Sequence, residues 1–125
     1  MKVGLFVTCL VDLLRPRIGF AAIRLLQAAG CEVVVPASQT GCGQPAWRAR
    51  AAALGTRTYE LSDFLFTVAK PDRLPGDFTG SVTYHDACSG LRELGCMLNI
   101  EGRLRRMGDE PTRVLHIAEI LAGEP

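Results

Sequence analysis

The chain predicts an α/β fold built on a small, mostly parallel sheet of about four strands with flanking helices in Rossmann-like layers. Short β-rich apolar runs recur along it, amphipathic helical stretches separate them, and the connections between the two are tight. With 125 residues, 48% hydrophobic and 22% charged, it has the size and polarity of one soluble domain with its own core.

The first run, VGLFVT (3–8), is a strand suited to cover on both faces. IGFAAIRLLQAAG then places Ile18, Ala21, Ala22, Leu25 and Leu26 on one helical face and stops at Gly30, a natural residue for a helix C-terminus. CEVVVP (31–36) is the second strand and completes a βαβ unit. AWRARAAAL reads as a helix on alanine propensity. TYELSDFLFTVAK reads as another, with Leu61, Phe64, Leu65 and Val68 facing inward. Pro71, Pro75, Gly76 and Gly80 mark a surface loop. SVTYHD (81–86) is the third strand. CMLNIEGRLRRM is a helix with Met97, Ile100, Leu104 and Met107 aligned, and TRVLHI (112–117) is a fourth strand before a short terminal helix.

Net charge is +1, with no basic block or acidic tail, which argues against a nucleic-acid or membrane-surface partner. The densest basic stretch, Arg103 to Arg106, reads as a solvated helix face. The apolar N-terminal run is broken by Asp12, and no uninterrupted stretch reaches the length of a membrane span. A cytoplasmic location is therefore expected.

Five cysteines in such a chain are many, and in a reducing compartment they point to metal binding or redox work. Cys9, Cys42 and Cys88 each follow a predicted strand, and Cys96 opens a predicted helix. Open α/β sheets bind ligands beyond the carboxyl ends of their strands, so thiols far apart in sequence can converge there. Cys31 reads as a small core hydrophobe. No CxxC pair is present, which removes the usual zinc-ribbon and dithiol spacings. His85 and Asp86 beside Cys88 are open to two readings, an activated thiol or groups that satisfy backbone at a strand end. His116 reads as a satisfied core residue. Trp47, Phe64 and Phe66 read as packing residues, and no GxGxxG follows the first strand.

MKVGLFVTCLVD, GCGQPAW, RTYELSDFL, VTYHDACSGLRELG and VLHIAEILA together resemble segments of the cysteine-rich (CCG-domain) iron–sulfur oxidoreductases. The resemblance implies a contracted form of a two-half architecture, with residues 1–125 as a single cysteine-rich-domain-like unit. It also shows departures. The first triplet reads Gly41-Cys42-Gly43, Ser89 stands where a histidine is usual, and two internal segments are missing.

Carried over by position, the resemblance leaves Cys9, Cys42, Cys88 and Cys96 as ligands of an iron–sulfur cluster of the [4Fe–4S] type, with no catalytic residue assigned. The implied role is electron transfer supporting oxidation of L-lactate to pyruvate. The implied partners are other iron–sulfur or flavin subunits of a lactate- or glycolate-oxidising complex. A degenerate, cluster-free module that keeps only a partner-binding surface is the alternative, and a zinc site on the same thiols is a third reading.

Overall fold

The computed structural model describes residues 1–36, 58–83, 93–108 and 112–123. Strand β1 (Lys2–Gly4) leads into the short helix α1 (Cys9–Leu14) and then into α2 (Pro16–Ala28), after which β2 (Glu32–Val34) lies parallel to β1. Farther along come α3 (Leu61–Asp63), a π-helical continuation π1 (Phe64–Ala69), α4 (Glu93–Arg106) and α5 (Ile117–Ala122).

The βαβ unit forms as the sequence predicts. Lys2, Val3 and Gly4 register with Glu32, Val33 and Val34. The ladder is extended by Glu32 N donating to Met1 O at 2.8 Å and Leu5 N donating to Val34 O at 2.9 Å. Lys2 and Glu32, directly paired, add an exposed cross-strand ion pair at 3.1 Å. The strands are covered on one face and not on both. Val3 and Val33 pack against the core, while Lys2, Gly4, Glu32 and Val34 face outward.

The number of strands is the main correction to the expected sheet. Among the described residues it has two, β1 and β2. The described part of the third expected strand, residues 81–83, is irregular and exposed, and residues 84–86 lie outside the described set. Residues 112–116 of the fourth run are irregular as well, and Ile117 already belongs to α5. A β-branched run becomes a strand only where a neighbour completes its hydrogen-bond ladder. Here the end of the TRVLHI run is drawn into a helix cap instead.

That cap is local and specific. His116 Nδ1 accepts from Ala118 N at 3.1 Å, and His116 N donates to Glu119 Oε2 at 2.8 Å. The pair is a reciprocal capping box with histidine in the place usually taken by serine or threonine. It explains how Glu119, 2% exposed, is tolerated in the core, since its carboxylate is held by a backbone donor. His116 is thus a cap rather than a strand residue.

Helix α2 carries the core. Its buried residues are the five predicted, and four of them, Ile18, Ala21, Leu25 and Leu26, cluster with Cys31, Phe64, Leu65, Ala118 and Ala122. Ala118 and Ala122, four residues apart, occupy one face of α5, and the packing of α5 on α2 uses these small side chains. The end of α2 is a complete Schellman motif. Gly30, at φ 75°, donates to Gln27 O at 2.9 Å, and Cys31 N donates to Leu26 O at 2.9 Å.

The helix predicted over TYELSDFLFTVAK forms, but with a change of winding. Glu60 caps α3 by accepting from Ser62 N at 2.9 Å and Asp63 N at 3.3 Å. Then Lys70 N donates to Leu65 O at 2.8 Å, the i→i+5 pattern of a π-turn, and Lys70 closes the helix in the left-handed region at φ 44°. The wider turn shifts the inward phase. Phe64 and Leu65 are buried as expected, while Val68 turns outward and Ala69 packs on the core in its place.

In α4, Met97 is buried and Ile100 and Leu104 are half-buried as predicted, but Met107 lies beyond the helix and is exposed. The helix predicted over AWRARAAAL lies outside the described residues.

Gly76, read from sequence as loop, is a seat for α5. Its N–H donates to Leu121 O at 2.7 Å, and a Cβ built there would lie 2.6 Å from Leu121 O and also overlap Ile120 O. Gly76→Ala is expected to lower stability by about 1–3 kcal/mol, because the backbone of α5 has to retreat; urea unfolding checks it. His116→Ala is expected to cost about 1 kcal/mol, since it removes the side-chain cap on Ala118 N while the backbone bond to Glu119 stays. Asn in place of His116, able to accept from the same N–H, should recover part of that loss.

Candidate functional site

Cys9 is the first residue of α1, five residues beyond the end of β1 and not directly after the strand as the sequence reading expected. Thr8 builds that corner. It is extended at φ −70° and ψ 149°, and its Oγ1 accepts from Val11 N at 3.4 Å while Asp12 occupies the first turn. Both features favour the positive end of a helix. The predicted strand through Thr8 stops at Gly4 because Thr8 is committed to this cap.

Cys96 does not open its helix. α4 begins at Glu93, and Cys96 lies one turn inside it. It is a reduced thiol, half-buried, next to the buried Met97. Cys42 and Cys88 lie outside the described residues, as do Trp47, His85, Asp86 and Ser89.

Cys31 is 7% exposed and belongs to the core cluster. It occupies the position after Gly30 in the Schellman motif, where an apolar side chain packs back on the last turn, and Leu26 belongs to the same cluster. Its role as a small hydrophobe is therefore the one expected.

Cys96 and Cys31 are both free thiols, Cys96 half-buried and Cys31 buried in the core cluster. Among the described residues no three His, Cys, Asp or Glu side chains come together as a metal-binding group.

Two polar features escaped the sequence reading. Arg15, at the corner between α1 and α2, donates through Nη2 to Glu101 Oε2 of α4 at 2.7 Å. Arg105 donates to the other carboxylate oxygen at 2.8 Å. Glu101 and Arg105 are four apart on one helix and legible as a pair, but nothing local links Glu101 to a residue 86 positions earlier. The second is the His116–Glu119 box, whose three-residue spacing before an apolar run was a visible signal. Arg103, Arg105 and Arg106 are exposed in the last turn of α4, as the solvated-face reading expects. No helix among the described residues is long and apolar enough to cross a membrane.

Residues 3–61 match the family described as CCG, cysteine-rich domain. Along nearly its whole length the chain is similar to lactate utilization protein A of Geobacillus kaustophilus, with 26% identity over 236 residues covering 97% of this chain and 98% of the relative. The chain has 125 residues, so close to half of those aligned positions lie opposite gaps within it. Lactate utilization protein A of Bacillus pumilus gives 25% identity over the same 236-residue span. The protein of that name from Halalkalibacterium halodurans is 31% identical over 144 residues, covering 76% of this chain and 59% of the relative. No solved structure is significantly similar.

Cys31→Ala is expected to leave any metal content unchanged while lowering stability by about 1 kcal/mol through lost packing. Metal analysis and urea unfolding of the same preparation check both halves.

Proposed function

We propose, on the match of residues 3–61 to the cysteine-rich-domain family, that the chain is an iron–sulfur electron-transfer protein of the lactate-utilisation type. The observation that carries this reading is the family match itself, which spans both Cys9 and Cys42, together with the likeness to lactate utilization protein A along the rest of the chain. Cys9, Cys42, Cys88 and Cys96 are the proposed thiolate ligands, held by one contracted domain. A bound cluster, [4Fe–4S] in this proposal, would supply one-electron transfer at a potential tuned by thiolate donation and by N–H groups near the sulfurs.

What this chain's own residues offer is placement. Thr8 fixes the turn that starts α1 at Cys9, and α4 holds Cys96 half-shielded from water. Taking two electrons from L-lactate to give pyruvate falls to a partner subunit in this reading, with a flavin or a further iron–sulfur centre. The proposed setting is the cytoplasm.

A second reading has its own support. The first triplet holds a single cysteine, Cys42 between Gly41 and Gly43, and the gaps opposite the relatives remove further sequence. A cluster-free module retaining a partner surface is consistent with both.

Anaerobic reconstitution with iron and sulfide separates the two. The first reading expects iron and acid-labile sulfide to co-purify with a brown chromophore, and Cys42→Ser or Cys96→Ser to lose them. A colourless protein without iron or sulfide rejects it, and zinc without sulfide assigns the thiols to a structural zinc site instead.

A further inference from the structure

We propose that Arg15 and Glu101 are positioning residues: their ion pair locks α4 onto the α1–α2 corner and so fixes where Cys96 stands relative to the N-terminal unit. The proposal rests on the reading of Cys96 as a functional thiol, but its central test does not need a cluster.

The pair is built differently from an ordinary surface contact. Its side chains are 20% and 26% exposed at a separation of 2.7 Å, whereas those of the Lys2–Glu32 pair are 68% and 69% exposed at 3.1 Å. Shielding of this kind reduces screening and strengthens a charge-assisted hydrogen bond.

Both partners are held from behind. Arg15 is at once the last cap of α1 and the first of α2, donating its N–H to Val11 O at 2.9 Å and accepting at its own carbonyl from Ile18 N at 3.0 Å. Pro16 follows at the first position of α2, which stiffens the corner. Glu101 is oriented by Arg105, whose grip on the second oxygen leaves the first free for Arg15.

The location gives the pair its meaning. Arg15 lies six residues after Cys9, and Glu101 five residues after Cys96 on α4. At a helical rise of about 1.5 Å per residue, the pair stands roughly 7–9 Å along the chain from each cysteine. A contact so placed transmits little to the α2–α5 core and much to the seating of α4.

The test is alkylation of the metal-free protein by N-ethylmaleimide, with each cysteine's rate read from its own peptide by mass spectrometry. Arg15→Ala is expected to speed labelling of Cys96 by roughly threefold to fivefold, the range an ion pair of this exposure sustains. Cys31, sealed in the core, reports global opening and should keep its rate. Glu101→Gln should reproduce the effect with nearly the same side-chain shape. The exchanged pair, Arg15→Glu with Glu101→Arg, should restore the original rate, and Lys2→Ala should change nothing.

An unchanged Cys96 rate, a parallel rise at Cys31, or failure of the exchanged pair to restore protection would each overturn the proposal. After reconstitution, iron per chain should fall in Arg15→Ala at equal far-ultraviolet dichroism. If the unaltered protein takes up no iron, the iron–sulfur reading fails while the alkylation result still judges the pair.

Discussion

The seam between α2 and α5 is the contact on which the other described elements depend. Leu25, Ala21, Ala118 and Ala122, two from each helix, are all fully buried in one cluster. The sheet has only two described strands, too few to stand alone, so its stability comes from the helix it leans on. The seam in turn requires that α5 begin at a fixed point and that Gly76 leave room for its last turn. The His116–Glu119 box and the absent Cβ at Gly76 meet those two requirements. Burying a carboxylate at such a seam is tolerable because Glu119 works as a cap.

Two kinds of attachment divide the molecule. The βαβ unit, π1 and α5 share an apolar core. The N-terminal half of that arrangement coincides with the stretch that matches the cysteine-rich domain. Helix α4 is bonded to the unit by a partly shielded ion pair, and its buried Met97 is not part of that core cluster. Polar attachment is directional where apolar attachment is not, so the ion pair constrains how α4 is oriented as well as where it lies.

Local signals in the sequence were reliable where the physics is local. The face of α2, the glycine that ends it, the core role of Cys31 and the parallel pairing of the first two apolar runs follow from periodicity, positive φ and short connections. The winding of π1 was not legible, because one residue of extra turn leaves composition unchanged while moving Val68 out and Ala69 in. The TRVLHI run misled because β-branching favours a strand only when a ladder partner exists, and His116 found a nearer use as a cap.

The family likeness was readable from the sequence alone, as were the cysteines worth testing, since motif spacing survives in a chain whatever its three-dimensional packing. How far each free thiol is shielded was decided in three dimensions: Cys31 is buried in the core cluster, and Cys96 sits half-shielded on α4. The bond between Arg15 and Glu101 belongs to the tertiary structure entirely. Two charges 86 residues apart carry no mutual signature until folding brings the α1–α2 corner to α4, and only then is their separation short enough for the attraction to count.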